Sequence, residues 1–163
     1  MMSEPGVVMQ KIVRCVYVSG ILLFLTATTA IAAEFSVRFG ELQGADRTAI
    51  MPTRNIKLCD KPTGYRFGYE IIPQGNSAYE HYAIFRLPAP IKQVGPNLQK
   101  QGVKVEEQGL EVKTRRAVDT GRRVEPFNFD QGDPSGEWKV EIYVEDKLID
   151  TIAFQVASVA SCP

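Results

Sequence analysis

The chain has one histidine, one tryptophan and three cysteines in 163 residues, and its 19 basic residues match its 19 acidic ones. Each scarcity closes off a chemistry. A Ser-His-Asp or Cys-His catalytic site has to run through His81, because the base in such sites is an imidazole. Its neighbours Glu80 and Tyr82 fall on the opposite face of the strand that alternation predicts there, so the bland account of His81 is a partly buried ring with one hydrogen-bond partner. Neither a Gly-x-Ser-x-Gly elbow nor a glycine-rich phosphate loop occurs. Cysteines as far apart as Cys59 and Cys162, with one histidine, do not make a zinc site. Balanced charge provides no electrostatic footprint for nucleic acid. No metal, no cofactor and no enzymatic activity are expected.

A long hydrophobic run occurs once, at the start. Lys11 and Arg14 precede an apolar stretch from Cys15 to Ile31 that ends in small residues, the order of a secretory signal peptide. Ala30 and Ala32 place cleavage after Ala32, with Ala33 as the neighbouring choice. Retention as a membrane anchor is the alternative, since the run approaches the roughly 18 to 20 residues that span a bilayer. Gly20, the threonines and the Ala-x-Ala ending weaken a permanent span, and Cys15 precedes the apolar core, where no lipid anchor attaches. Residues 1–32 are therefore read as the leader and 33–163 as one β domain, with 17 basic against 18 acidic residues. A periplasmic or secreted location follows, with membrane contact only through the leader before cleavage. In that oxidising setting Cys59 and Cys162 form an even pair, expected to be bridged; two buried thiols are the other reading.

Beyond the leader no segment keeps a 3.6-residue apolar period, whereas period-two alternation recurs. In Phe35, Val37 and Phe39, and again in Tyr65, Phe67, Tyr69 and Ile71, apolar groups share one face. The run from Tyr79 to Leu87 is apolar on both faces and ends at Pro88 and Pro90, which predicts an interior strand. A hairpin is expected around Gln108-Gly109. After an Asp133-Pro134-Ser135-Gly136 turn, Trp138, Val140, Ile142 and Val144 point one way, and Ile152, Phe154 and Val156 supply the facing row beyond a turn at Asp146-Lys147. About seven or eight short strands predict an all-β, immunoglobulin-like antiparallel sandwich; a small closed barrel is the alternative.

The turn, Gly-x-Trp, hairpin and final Phe-x-Val, together with Thr63–Ile71 and the Arg86–Pro90 segment, resemble a family of exported bacterial immunoglobulin-like proteins termed domain of unknown function 3859. The resemblance spans most of residues 34–157. It implies a fold and a compartment and carries over no catalytic residue.

Three groups of residues invite a binding role. The densest charge cluster holds Lys113, Arg115, Arg116, Arg122 and Arg123 against one acid, Asp119. Folded together, Arg115, Arg116, Arg122 and Arg123 would dock an envelope protein or an anionic envelope component; a solvated loop is the plainer account. Among the tyrosines, Tyr82 and Tyr143 are the candidates for an exposed platform that stacks a small ligand or glycan. The carboxylates Glu137, Glu141 and Glu145 alternate with Lys139 as a solvated strand face does, which argues against a glycosidase pair. Asp130, Asp133 and Glu137 miss the spacing of a calcium loop. The reading that follows is a non-enzymatic module that binds an envelope protein through a sheet edge or the basic loop, with a small-ligand or glycan-binding sandwich as the alternative and an exported hydrolase the least favoured.

Overall fold

Alternating apolar residues become strands because a pleated chain sends successive side chains to opposite faces. In the computed structural model, which describes residues 34–44, 46–59, 65–91, 95, 104–130 and 132–160, they pair into two sheets. The leader, the cleavage site and Cys162 lie outside the described residues.

The first sheet contains β1 (Phe35–Gln43), β2 (Ala49–Pro52), β4 (Phe67–Pro73) and β9 (Arg123–Phe127), in the order β2-β1-β4-β9. The second contains β3 (Asn55–Cys59), β5 (Ala78–Arg86), β6 (Lys104–Glu106), β7 (Glu111–Lys113), β10 (Gly136–Val144) and β11 (Lys147–Val159), in the order β3-β11-β10-β5-β7-β6. β8 (Ala117–Thr120) also pairs with β5, continuing the line of β7 along the same strand after a break at residues 114–116. The all-β sandwich expected from alternation is the fold, and the barrel is not.

The details differ in three places. Eleven strand segments form among the described residues rather than seven or eight, since three- to five-residue pieces such as β3 and β6 are too short to show alternation. The pairing is antiparallel except between β3 and β11, which run parallel with Val159 beside Cys59. The β10–β11 turn is Glu145-Asp146, one residue earlier than expected; both have positive φ (48° and 59°), as the favoured two-residue hairpin turn requires.

The core lies between the sheets. Trp138, Val140, Ile142 and Val144 from β10 and Ile152, Phe154 and Val156 from β11 are all buried and meet Phe39, Phe67, Tyr69 and Ile71 of the first sheet. Trp138 packs edge-on to Phe129 (centroids 5.6 Å) and Phe85 (6.5 Å), and its indole N–H donates to the Pro134 carbonyl at 2.8 Å. The Pro-Gly turn thus anchors the tryptophan that follows it. Gly68 is required by close approach: a Cβ there would sit 2.1 Å from the Glu125 carbonyl oxygen of β9.

On the outer face of the first sheet, Glu70 is fully buried. Arg38, its register partner on β1, grips Oε2 through Nε at 2.7 Å and Nη2 at 2.5 Å, and Arg122 contacts Oε1. A carboxylate removed from water needs such charge-assisted partners.

Candidate functional site: the cleft between β8 and β9

The basic run is not a loop. Its residues 117–120 pair with β5 in the second sheet and residues 123–127 pair with β4 in the first, so the chain crosses between sheets at Gly121-Arg122. That crossing separates the four predicted docking arginines. Arg116 is ion-paired to Glu80 and Asp146, Arg122 to Glu70, and Arg123 to Glu125 (2.8 Å) and Asp119 (3.6 Å). Arg115 is exposed and has no ion pair among the described residues.

The tyrosine platform forms as a pair but not as an open surface. Tyr82 and Tyr143 sit opposite each other in the β5–β10 register and stack with centroids 4.8 Å apart and planes 3° from parallel. Yet the Lys113 ammonium (4.7 Å) and the Arg116 guanidinium (4.6 Å) lie over Tyr82, leaving it 7% exposed. Cation–π contact occupies the ring that was expected to receive a ligand.

The three carboxylates of the wet face are also engaged or dispersed. Glu141 pairs with Arg86 (3.2 Å), which reaches Glu111 at 2.6 Å on its other side, and Glu145 accepts the Glu80 backbone N–H at 2.7 Å. No two of Glu137, Glu141 and Glu145 face each other across a gap among the described residues.

The arrangement with most chemical content was not expected from the sequence. Between β8 and β9 a cleft of about 250 Å³ is lined by Tyr69, His81, Thr114, Arg115, Arg123 and Glu125 among others. His81, 2% exposed, points from β5 toward the crossing strands, with Nε2 2.9 Å from Asp119 Oδ2 and 3.9 Å from Glu125 Oε1. Its Nδ1 is buried without a hydrogen-bond partner among the described residues. One donor atom from each of His81, Asp119 and Glu125 lies within 4.8 Å of the others, the only three residues described that converge in this way. Arg123 is ion-paired to both carboxylates. Tyr79 closes the side of the cluster, its hydroxyl donating to the Gly121 carbonyl at 2.8 Å and its pKa pushed up to about 12, first by burial and then by Asp119. No local spacing announces this group: Asp119 and Glu125 stand 38 and 44 positions after His81, and only the crossing brings them to it.

Away from this cluster, Asp133 has a perturbed carboxyl beside a small void of about 30 Å³ lined by Trp138, Phe67, Phe85 and Phe127. Burial raises its pKa to about 6, against the opposing effect of the Asp130 backbone N–H that it accepts at 2.7 Å. The folded chain therefore holds this proton more tightly than the unfolded one. The stability it contributes is complete below about pH 4 and lost as pH rises through about 6. Asp133→Asn should remove that dependence: between pH 4 and 7 the parent should lose about 1 to 2 kcal/mol relative to the variant in urea unfolding, with solvent screening allowed for. Parallel pH profiles for the two chains would rule the assignment out.

A family model described as the PM0630 beta sandwich domain matches residues 33–157. The chain belongs to this family. Among solved structures the PM0630 sandwich seen here is similar to an immunoglobulin-like protein from Pseudomonas aeruginosa, at 16% identity and TM-score 0.47, over 75% of this chain and 92% of that one. It is also similar to part of a Pseudomonas fluorescens alkylpurine DNA glycosylase, AlkC, bound to DNA containing an abasic site analog. That match has 11% identity and TM-score 0.34, over 76% of this chain and 30% of that one. No curated protein matches the PM0630 sandwich of this chain. Likeness at this level transfers no activity, because sandwiches host many unrelated functions.

Proposed function

We propose that this chain is an exported, non-enzymatic β-sandwich of the exported immunoglobulin-like class, which binds another envelope protein. Arg115 at the rim of the β8–β9 cleft meets an acidic group of that partner. The observation that carries this reading is the contrast among the four arginines: Arg116, Arg122 and Arg123 are held by acids of the chain itself, and Arg115 alone is exposed and unpaired among the described residues. Strand addition at the edges of the first sheet is less favourable, because its outer strand β9 carries Pro126 and β2 ends at Pro52. Proline withholds the N–H that strand addition uses.

Export is supported by the leader-like residues 1–32 and by the placement of Cys59. This cysteine ends β3 beside Val159, which stands three residues before Cys162 in the sequence. The cleft itself, at about 250 Å³ with buried polar groups, favours a small polar ligand as the second reading, in place of the capped tyrosines.

A crosslinking pull-down from envelope extract, with the chain beginning at Ala33, tests the first reading. At low salt, Arg115→Glu should reduce stoichiometric capture roughly tenfold, and the difference should shrink in high salt. Equal capture by both chains would exclude Arg115 as the docking residue.

A further inference from the structure

We propose that His81, Asp119 and Glu125 bind one divalent transition-metal cation, Zn²⁺ or an ion of similar preference, and that this ion ties β8 and β9 to β5. The inference goes beyond the docking reading, in which these three residues take no part.

The donor set is an imidazole nitrogen and two carboxylate oxygens, which suits zinc, manganese and iron(II) rather than calcium. Bonds of about 2.0 to 2.2 Å to one ion span the observed separations of 2.9 Å and 3.9 Å after small side-chain adjustments. The three ligands come from three strands and both sheets, and the adjoining cleft of about 250 Å³ admits water to the remaining coordination positions, each water needing roughly 30 Å³.

Two further observations favour a cation over a plain ion-pair network. First, the two carboxylates beside His81 are countered at close range by Arg123 alone among the described residues, so with a neutral imidazole the cluster of four side chains carries one excess negative charge. Second, the His81 proton that points from Nε2 to the Asp119 carboxylate can move to Nδ1, where no hydrogen bond among the described residues opposes it, which leaves the Nε2 lone pair for a metal.

Arg123 sets the affinity. Its guanidinium keeps the two carboxylates together while competing for them, and with its side chain 42% exposed it can turn to solvent when a cation enters.

The test uses the untagged chain under non-reducing conditions, stripped by chelator, and titrates it calorimetrically with Zn²⁺. Co²⁺ serves as the visible-absorption probe of an N/O site. One ion per chain is expected to bind, with a Tm increase of roughly 10 °C at a hundredfold excess over Kd. Asp119→Asn and Glu125→Gln, each checked for folding by circular dichroism, should weaken binding tenfold or more. Arg123→Gln should tighten it several-fold, an effect that removal of a merely structural salt bridge does not produce. Absence of saturable binding up to about 100 µM Zn²⁺, absence of a Tm shift in the parent chain, or an affinity unmoved by both carboxylate substitutions would each overturn the site.

Discussion

Replacing Trp138 with alanine is expected to lower the free energy of unfolding by about 3 to 5 kcal/mol. The indole is 5% exposed and is wedged among Phe85, Phe129 and Phe154 at centroid distances of 6.5, 5.6 and 6.1 Å. Truncation removes those contacts and enlarges an existing void of about 30 Å³, which the rigid sheets on either side cannot close. It also leaves the Pro134 carbonyl without its indole donor. Against a typical domain stability of about 5 to 15 kcal/mol, the loss is a large fraction of the whole. Trp138→Phe keeps most of the apolar contact and should cost about 1 to 2 kcal/mol, from the missing hydrogen bond and lost volume. Urea unfolding followed by far-ultraviolet circular dichroism measures both, since the only tryptophan is the residue being changed. A cost below about 1.5 kcal/mol for the alanine variant would mean that Phe129 and the turn close this end of the core unaided.

Opening the proposed Cys59–Cys162 bridge should be comparably damaging. It encloses residues 59–162, most of the mature chain, and on the loop-entropy model such a link contributes about 4 to 5 kcal/mol by restricting the unfolded chain. The parallel pairing of β3 with β11 is the native geometry it reinforces, because β3 is an edge strand attached to the sheet on one side only. Mass spectrometry of the alkylated, non-reduced protein should show no labelled thiol at either position. The Cys59→Ser, Cys162→Ser chain should unfold at markedly lower urea with an m-value raised by its more open unfolded state. Full alkylation without reductant would remove the bridge from the account, together with one support for export.

Alternation made the β10–β11 ribbon, the inward row of β4 and the interior position of β5 legible, since each depends on which side chains share a face. What stayed hidden depends on contacts between distant segments. Glu70 lies on the polar face that alternation assigns it, yet its burial comes from Arg38 and Arg122 folding over it. The run from Arg115 to Arg123 reads as a solvated loop because its acids are scattered: Asp119 lies inside it, whereas Glu70, Glu80, Glu125 and Asp146 come from elsewhere. Once the crossing brings those acids in, three of the arginines become internal counter-ions. The pairing of Tyr82 with Tyr143 followed from their strands, but the cations that cover the stack come from the end of β7 (Lys113) and from the break that follows it (Arg116).

β5 has strand neighbours on both sides, while β9 is held on one side only. The two walls of the cleft therefore differ in compliance. His81 rides on the stiff wall and cannot change its position without opening the sheet at its centre. Arg123 and Glu125 ride on the soft wall, which can hinge about its pairing with β4 at little cost. Any adaptation of the cleft to what enters it thus falls to the first sheet's margin, with the imidazole as the fixed point against which that margin closes.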